Sequence, residues 1–185
     1  MNHLLKQTIQ RIDQANADDP HDGVELLYSK RMLDTLQTFD PNASDPLTLA
    51  CYAQHVCRWK LNRKDFPTGL QGYLKWRSDL VKLHAKILAD AMQASGYDEK
   101  TIERASNIIQ KKKLKTDPEA QTLEDVSCLV FLTYYFEPFA GKHTEDKIID
   151  IVQKTWGKMS EKGHQTALSL NLAPHLQKLV TKALA

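Results

Sequence analysis

No apolar run in this 185-residue chain approaches the ~18 residues that a membrane-spanning helix requires. The N-terminal stretch M-N-H-L-L-K-Q-T-I-Q-R-I-D mixes charged with apolar residues and lacks the continuous apolar core of a secretory signal. A cytoplasmic location and no membrane partner are therefore the expectation. Cysteine is scarce. The chain has three, Cys51, Cys57 and Cys128, an odd number with no C-x-x-C pair, which argues against a disulfide framework or a thiolate zinc site. They read as small core residues. Strand signals are almost absent, and there is no internal repeat, linker or low-complexity tract. Charge of one sign is also missing in bulk. A formal net charge of +2 argues against a dedicated nucleic-acid binder.

What remains is helical periodicity in a chain that is 42% hydrophobic and 26% charged, the balance of a globular protein. A first helix is expected over 2–17, broken by D-D-P-H-D-G, and a second over 24–39, ended by D-P-N-A-S-D-P. Asp45-Pro46 supplies a cap and a first-turn proline for a third helix, expected to run to about Trp59. After a basic loop over 60–72, a long helix is expected over 73–95, stopped by Gly96. Further helices follow from Asp98 to near Lys111, from T-D-P-E at 116–119 and over 144–160, with one or two short ones around Pro174. The expected architecture is all-α, a single compact domain over 1–185 with about seven to eight helices.

The charges are unevenly spread. From 55 to 86 the chain carries Arg58, Lys60, Arg63, Lys64, Lys75, Arg77, Lys82 and Lys86 against only Asp65 and Asp79. Such a segment either attracts an anionic ligand or forms an ordinary solvated face. Several polar residues fall on apolar helix stripes. His84 is in register with Leu80, Val81, Ile87 and Leu88, and Arg77 precedes it by seven residues, about 10 Å along the same face. His55 groups with Cys51, Tyr52, Arg58 and Trp59. Asp125 aligns with Gln121, Cys128, Leu129 and Leu132, while Glu124 beside it is rotated by about 100°. A buried carboxylate needs a partner, and these histidines and Arg77 are the available ones. Each residue alone has an ordinary core or capping explanation; together they suggest a shared polar centre.

The stretches I-D-Q-A-N-A-D-D-P, E-L-L-Y-S-K-R-M, Q-H-V-C-R-W, G-Y-L-K-W-R, L-E-D-V-S-C-L-V-F-L and K-T-W-G-K-M-S closely resemble the domain of unknown function 4202 family over nearly the whole chain. The order of motifs also resembles, more distantly, the HD-domain superfamily of helical phosphohydrolases. In that superfamily a helix carrying His is followed by a motif like L-L-H-D-I-G-K, further His residues and a final D-A-D-x-L. Here Tyr28 and Ser29 stand where the first His would be, A-Q-H-V-C-R-W matches the second motif with Val56 replacing its Asp, and L-H-A-K-I-L-A supplies His84. Lysines of I-I-Q-K-K-K-L take the place of a later His, and P-E-A-Q-T-L-E-D-V-S-C-L supplies Asp125.

The resemblance implies a divalent metal (Fe, Mn or Zn) held by His55, His84 and Asp125, with those residues and Glu124 as the catalytic set. Val56 departs from the pattern at a ligand position, so the standard site is incomplete. Two readings follow. One is a phosphohydrolase acting on an anionic, phosphorylated small molecule such as a nucleotide. Arg58, Arg63, Arg77 and Lys112 would clamp phosphate, and Trp59, Tyr73 and Trp76 would stack on a base. The other is an inert domain of the same shape that binds an anionic ligand or a protein partner through its arginines. Lys154 and Lys158, four apart, either reach the same anion or are simply exposed. Asp13, Asn16 and Asp19 either line the site or form the first turn.

Overall fold

The computed structural model describes residues 2–185, which fall into two compact units, one ending at Leu123 and the other covering Glu124–Ala185. Ten α-helices and no strand occur among the described residues, with none long and apolar enough to cross a membrane. The first unit holds α1 (His3–Ala15), α2 (Val24–Phe39), α3 (Asp45–Tyr52), α4 (Gly69–Ser95) and α5 (Glu99–Ile109). The unit boundary falls inside α6 (Pro118–Val130). The second unit continues with α7 (Phe136–Ala140), α8 (Glu145–Trp156), α9 (Glu161–Leu168) and α10 (Pro174–Leu184).

Local chemistry sets the starts. Asn2, Ser44, Asp98 and Ser160 each accept a backbone N–H of the first turn through a side-chain oxygen, and Pro46 follows Ser44 in the first turn of α3. Gly96 ends α4 at φ 95°, a left-handed position that favours glycine. In the first unit α3 and α4 both pack on α5, α1 packs on α4, and α2 packs on α3. The core so formed includes Ile12, Met32, Leu36, Leu49, Leu88 and Ile108. Arg104 of α5 holds Asp117 and Glu119 at the start of α6, and Glu119 in turn accepts from Ser44, the cap of α3. In the second unit α8 packs on α10 around Ile148, Val152, Leu176 and Val180.

The helix count corrects the expected seven to eight. A π-helical turn over Phe131–Tyr135 separates α7 from α6, and the tail forms two helices. Two ends also fall early. The helix carrying Lys154 stops at Trp156, so Lys158 lies beyond it and the two lysines do not share a helical face. More consequentially, α3 stops at Tyr52 instead of running to Trp59. Cys57 takes a left-handed φ of 53°, its N–H donates to Asn16 Oδ1 at 2.9 Å, and its Sγ contacts the Ala15 carbonyl at 3.1 Å. These tertiary bonds replace the helical ladder. The early stop puts His55 in a turn, where periodicity alone predicts a helix.

Candidate functional site

The turn after α3, the middle of α4 and the end of α5 enclose a cavity of about 80 Å³ whose walls include His55, Arg58, Arg77, His84 and Lys111. That volume holds roughly half a dozen waters or one small tetrahedral oxyanion.

His84 is 4% exposed, and its Nδ1 lies 2.8 Å from the backbone carbonyl of Val56. A carbonyl only accepts, so Nδ1 carries the proton and Nε2 keeps its lone pair. Burial drives this imidazole down to about 4, with Arg58 and Arg77 pushing the same way against the Val56 hydrogen bond. Val56 itself is fully buried. Its side chain belongs to the core and its carbonyl fixes the tautomer of His84.

His55 lies flat against Tyr28 of α2, ring centroids 3.8 Å apart and planes 12° from parallel, and 6.2 Å from the His84 ring. The Tyr28 hydroxyl donates to Gln54 Oε1 at 3.2 Å. Burial, then the charges of Arg58, His84, Arg77 and Lys111, hold His55 well below its usual value. Its Nδ1 faces Glu25 Oε2 at 3.6 Å, longer than a hydrogen bond. Burial raises the Glu25 carboxyl to about 7, against the opposing pull of Arg58. Both imidazoles are thus neutral near pH 7, and Glu25 is near its midpoint.

The cations behave differently from one another. Arg58 lies over the Trp76 ring at 5.1 Å, and Trp76 Nε1 donates to the Leu61 carbonyl at 2.9 Å. Trp76 is therefore used in packing. Among the described residues, no carboxylate is in ion-pair contact with Arg58 or Arg77. Arg63 donates to the backbone carbonyls of Phe66, Pro67 and Gly69, closing the loop ahead of α4. The same loop presses on Gly72, where a Cβ would stand 1.8 Å from the Pro67 carbonyl oxygen.

The remaining sequence candidates fall in several places. Trp59 is half-buried in a 3₁₀ turn, and Tyr73 is 42% exposed, tilted against Trp76. Lys112 lines an outer groove with Arg77. Asp13 accepts from the Tyr52 hydroxyl, and Asp19 accepts the backbone N–H of His21 and Glu25 in the turn before α2. In the second unit, Lys154 pairs with Asp150 at 2.8 Å, and Lys158 comes to 4.0 Å from Glu124. Asp125 accepts both the backbone N–H and the hydroxyl of Ser160, at 2.7 and 2.5 Å. Among the described residues, no three His, Cys, Asp or Glu side chains are grouped as metal donors. Of the donor set implied by the HD resemblance, His55 and His84 belong to the first unit and Asp125 to the second.

Glu25 and Gln54 carry no motif that singles them out, and Lys111 stands among the three lysines of I-I-Q-K-K-K-L with nothing local to set it apart. Glu25 had a readable signal, since it opens the stripe Glu25, Tyr28, Ser29, Met32, Leu36 at helical spacing, and all five are buried. The model of one family, a domain of unknown function (DUF4202), matches residues 6–180. No curated protein and no solved structure matches the chain.

Proposed function

The chain belongs to the DUF4202 family, and from the geometry of its first unit we propose that the protein binds the phosphate group of a small phosphorylated molecule. The observation that carries this reading is the pairing of Arg58 and Arg77, neither in ion-pair contact with a carboxylate among the described residues, around one cavity with two neutral imidazoles. Guanidinium groups suit oxyanions because their N–H donors match two oxygens at once. Nε2 of His84 accepts a hydrogen bond from a protonated phosphate or a neighbouring hydroxyl. No step is routed through a metal ion.

Glu25 favours a second reading, hydrolysis of the bound ester over binding alone. A carboxyl raised to about 7 behind a cavity-lining histidine has the pKa of a general base working near neutrality. A water oxygen would attack phosphorus while its proton passes to His55 Nε2 and the Nδ1 proton moves to Glu25, across a contact that must close from 3.6 Å. The P–O bond to the leaving group would break with its electron pair on the leaving oxygen, which takes a proton from solvent water.

A thermal-shift panel of inorganic phosphate, sugar phosphates and nucleotides tests the binding reading on the wild type and Arg77→Ala. The expected result is a stabilising ligand whose effect disappears in the variant. Hits that survive Arg77→Ala unchanged remove the proposed clamp. Phosphate release from any hit, abolished in Glu25→Gln with binding retained, separates turnover from binding.

A further inference from the structure

Resting on the phosphate reading above, we infer that the ligand carries two adjacent phosphate groups, one enclosed in the cavity and the second held outside it by Arg77, Lys82 and Lys112. The two compartments share walls. An outer groove of about 320 Å³ uses Arg77, Val81 and Gln110 of the inner cavity and adds Ser78, Lys82 and Lys112. Arg77 thus stands at the junction, where a guanidinium fork bridges neighbouring phosphates.

The end of α5 divides two consecutive lysines between these compartments. Lys112 N–H bonds the Asn107 carbonyl at 3.0 Å and Lys111 N–H bonds the Ile108 carbonyl at 2.8 Å, the paired bonds of a Schellman stop. The residue between helix and exit in that motif is ordinarily glycine. Here it is Lys111 at φ 53°. A left-handed lysine is held at a cost of about 1–2 kcal/mol, and it turns the chain so that Lys111 lines the cavity while Lys112 lines the groove. Among the described residues, no carboxylate lines either compartment. Asp79 stands at the outer edge, bound to Lys75 at 2.9 Å and to Lys82 at 3.5 Å, and the second phosphate must compete with it for Lys82.

The inner cavity and the outer groove meet at the wall formed by Arg77, Val81 and Gln110, so a ligand longer than one phosphate group continues past Arg77 toward Lys82 and Lys112. A diphosphate spans the shared wall with one group on each side. A single phosphate fills the cavity and leaves the outer lysines unused.

Calorimetric titration with inorganic phosphate and inorganic diphosphate, on wild type and on the Lys82→Ala/Lys112→Ala double variant, reads the difference. The expected outcome is diphosphate bound about tenfold or more tighter than phosphate by wild type. The double variant should lose most of that gain while its phosphate affinity stays the same. Equal affinities in the wild type, or an equal loss for both anions in the variant, overturn the two-phosphate inference and leave the phosphate reading standing. Binding of neither anion to the wild type overturns both.

Discussion

Two buried polar centres, one in each unit, carry the residues that the motif order singles out, and they differ in what is left over. Around Asp125 both carboxylate oxygens are used by Ser160, and Gly163 is present because a Cβ there would stand 2.6 Å from Asp125 Oδ1. That centre caps and packs α9. Around His55 and His84 one imidazole nitrogen is fixed by a backbone carbonyl and a cavity stands open to both rings. Its two guanidiniums have no carboxylate in ion-pair contact among the described residues. Buried polar groups whose bonds are closed internally hold a fold together. The proposed phosphate site draws on the other kind, guanidiniums at a cavity wall with no carboxylate in ion-pair contact among the described residues.

The largest effect that could break this contrast is in the second unit. Asp125→Ala leaves the Ser160 N–H and hydroxyl without their acceptor and should cost about 3 kcal/mol in urea unfolding. The folded protein should still bind phosphate. A variant of unchanged stability that no longer binds phosphate would reverse the roles assigned to the two centres.

Acid titration ranks next. His84 falls from its usual 6.5 to about 4 in the fold, so the native state binds fewer protons than the unfolded chain between those values. Its contribution is complete above pH 6.5 and is lost as pH falls through about 4, up to about 3 kcal/mol. Glu25 runs the other way. Its carboxyl rises from 4.5 to about 7, so stability is lost as pH climbs between them. Between about 4.5 and 6.5 the two slopes oppose each other, so the wild-type unfolding midpoint should change little there. Glu25→Gln should expose the rise with pH that belongs to His84, and His84→Gln the fall that belongs to Glu25. Variants whose midpoints stay as flat as the wild type would place the titrating groups elsewhere.

Arg77→Ala should weaken phosphate binding about tenfold with stability changed by no more than about 0.5 kcal/mol, because this residue is exposed and forms no ion pair among the described residues. Equilibrium titration and urea melts of the same sample give the two numbers. A stability loss larger than the affinity loss would make Arg77 structural. The smallest effect is expected from Lys111→Gly. Relief of the left-handed position should keep the melting temperature at or above that of the wild type, while phosphate affinity drops a few-fold. Loss of both together would mean that Lys111 is there for the fold.

The sequence exposed the helices well where signals were local. Gly96 and Asp98 mark ends by their own backbone chemistry, and α2 falls on its expected bounds. α3 begins at Asp45-Pro46, but its cap is Ser44 and not the expected Asp45, whose carboxylate accepts from Asn2 and Tyr97. The end of α3 was illegible because it is decided by Asn16 and Ala15, some forty residues earlier, bonding to Cys57. For the site, His84 and Arg77 could be read from one stripe of α4, whereas His55 and Arg58 were read on a helix that has already ended; the structure brings these four around one cavity all the same. Arg63 could not be told from them, since only the folded loop reveals that its donors are spent on carbonyls. Lys111 was hidden for a related reason. A lysine at a helix stop looks like a solvated charge until a positive φ turns it inward.

The most direct test of the central claim follows the ring nitrogens of His55 and His84 by ¹⁵N NMR during a phosphate titration. Saturable movement of the His84 Nε2 and His55 signals is expected, with one shared dissociation constant that is weakened in Arg77→Ala. Phosphate that saturates the protein while both rings keep their free-state shifts would contradict that claim.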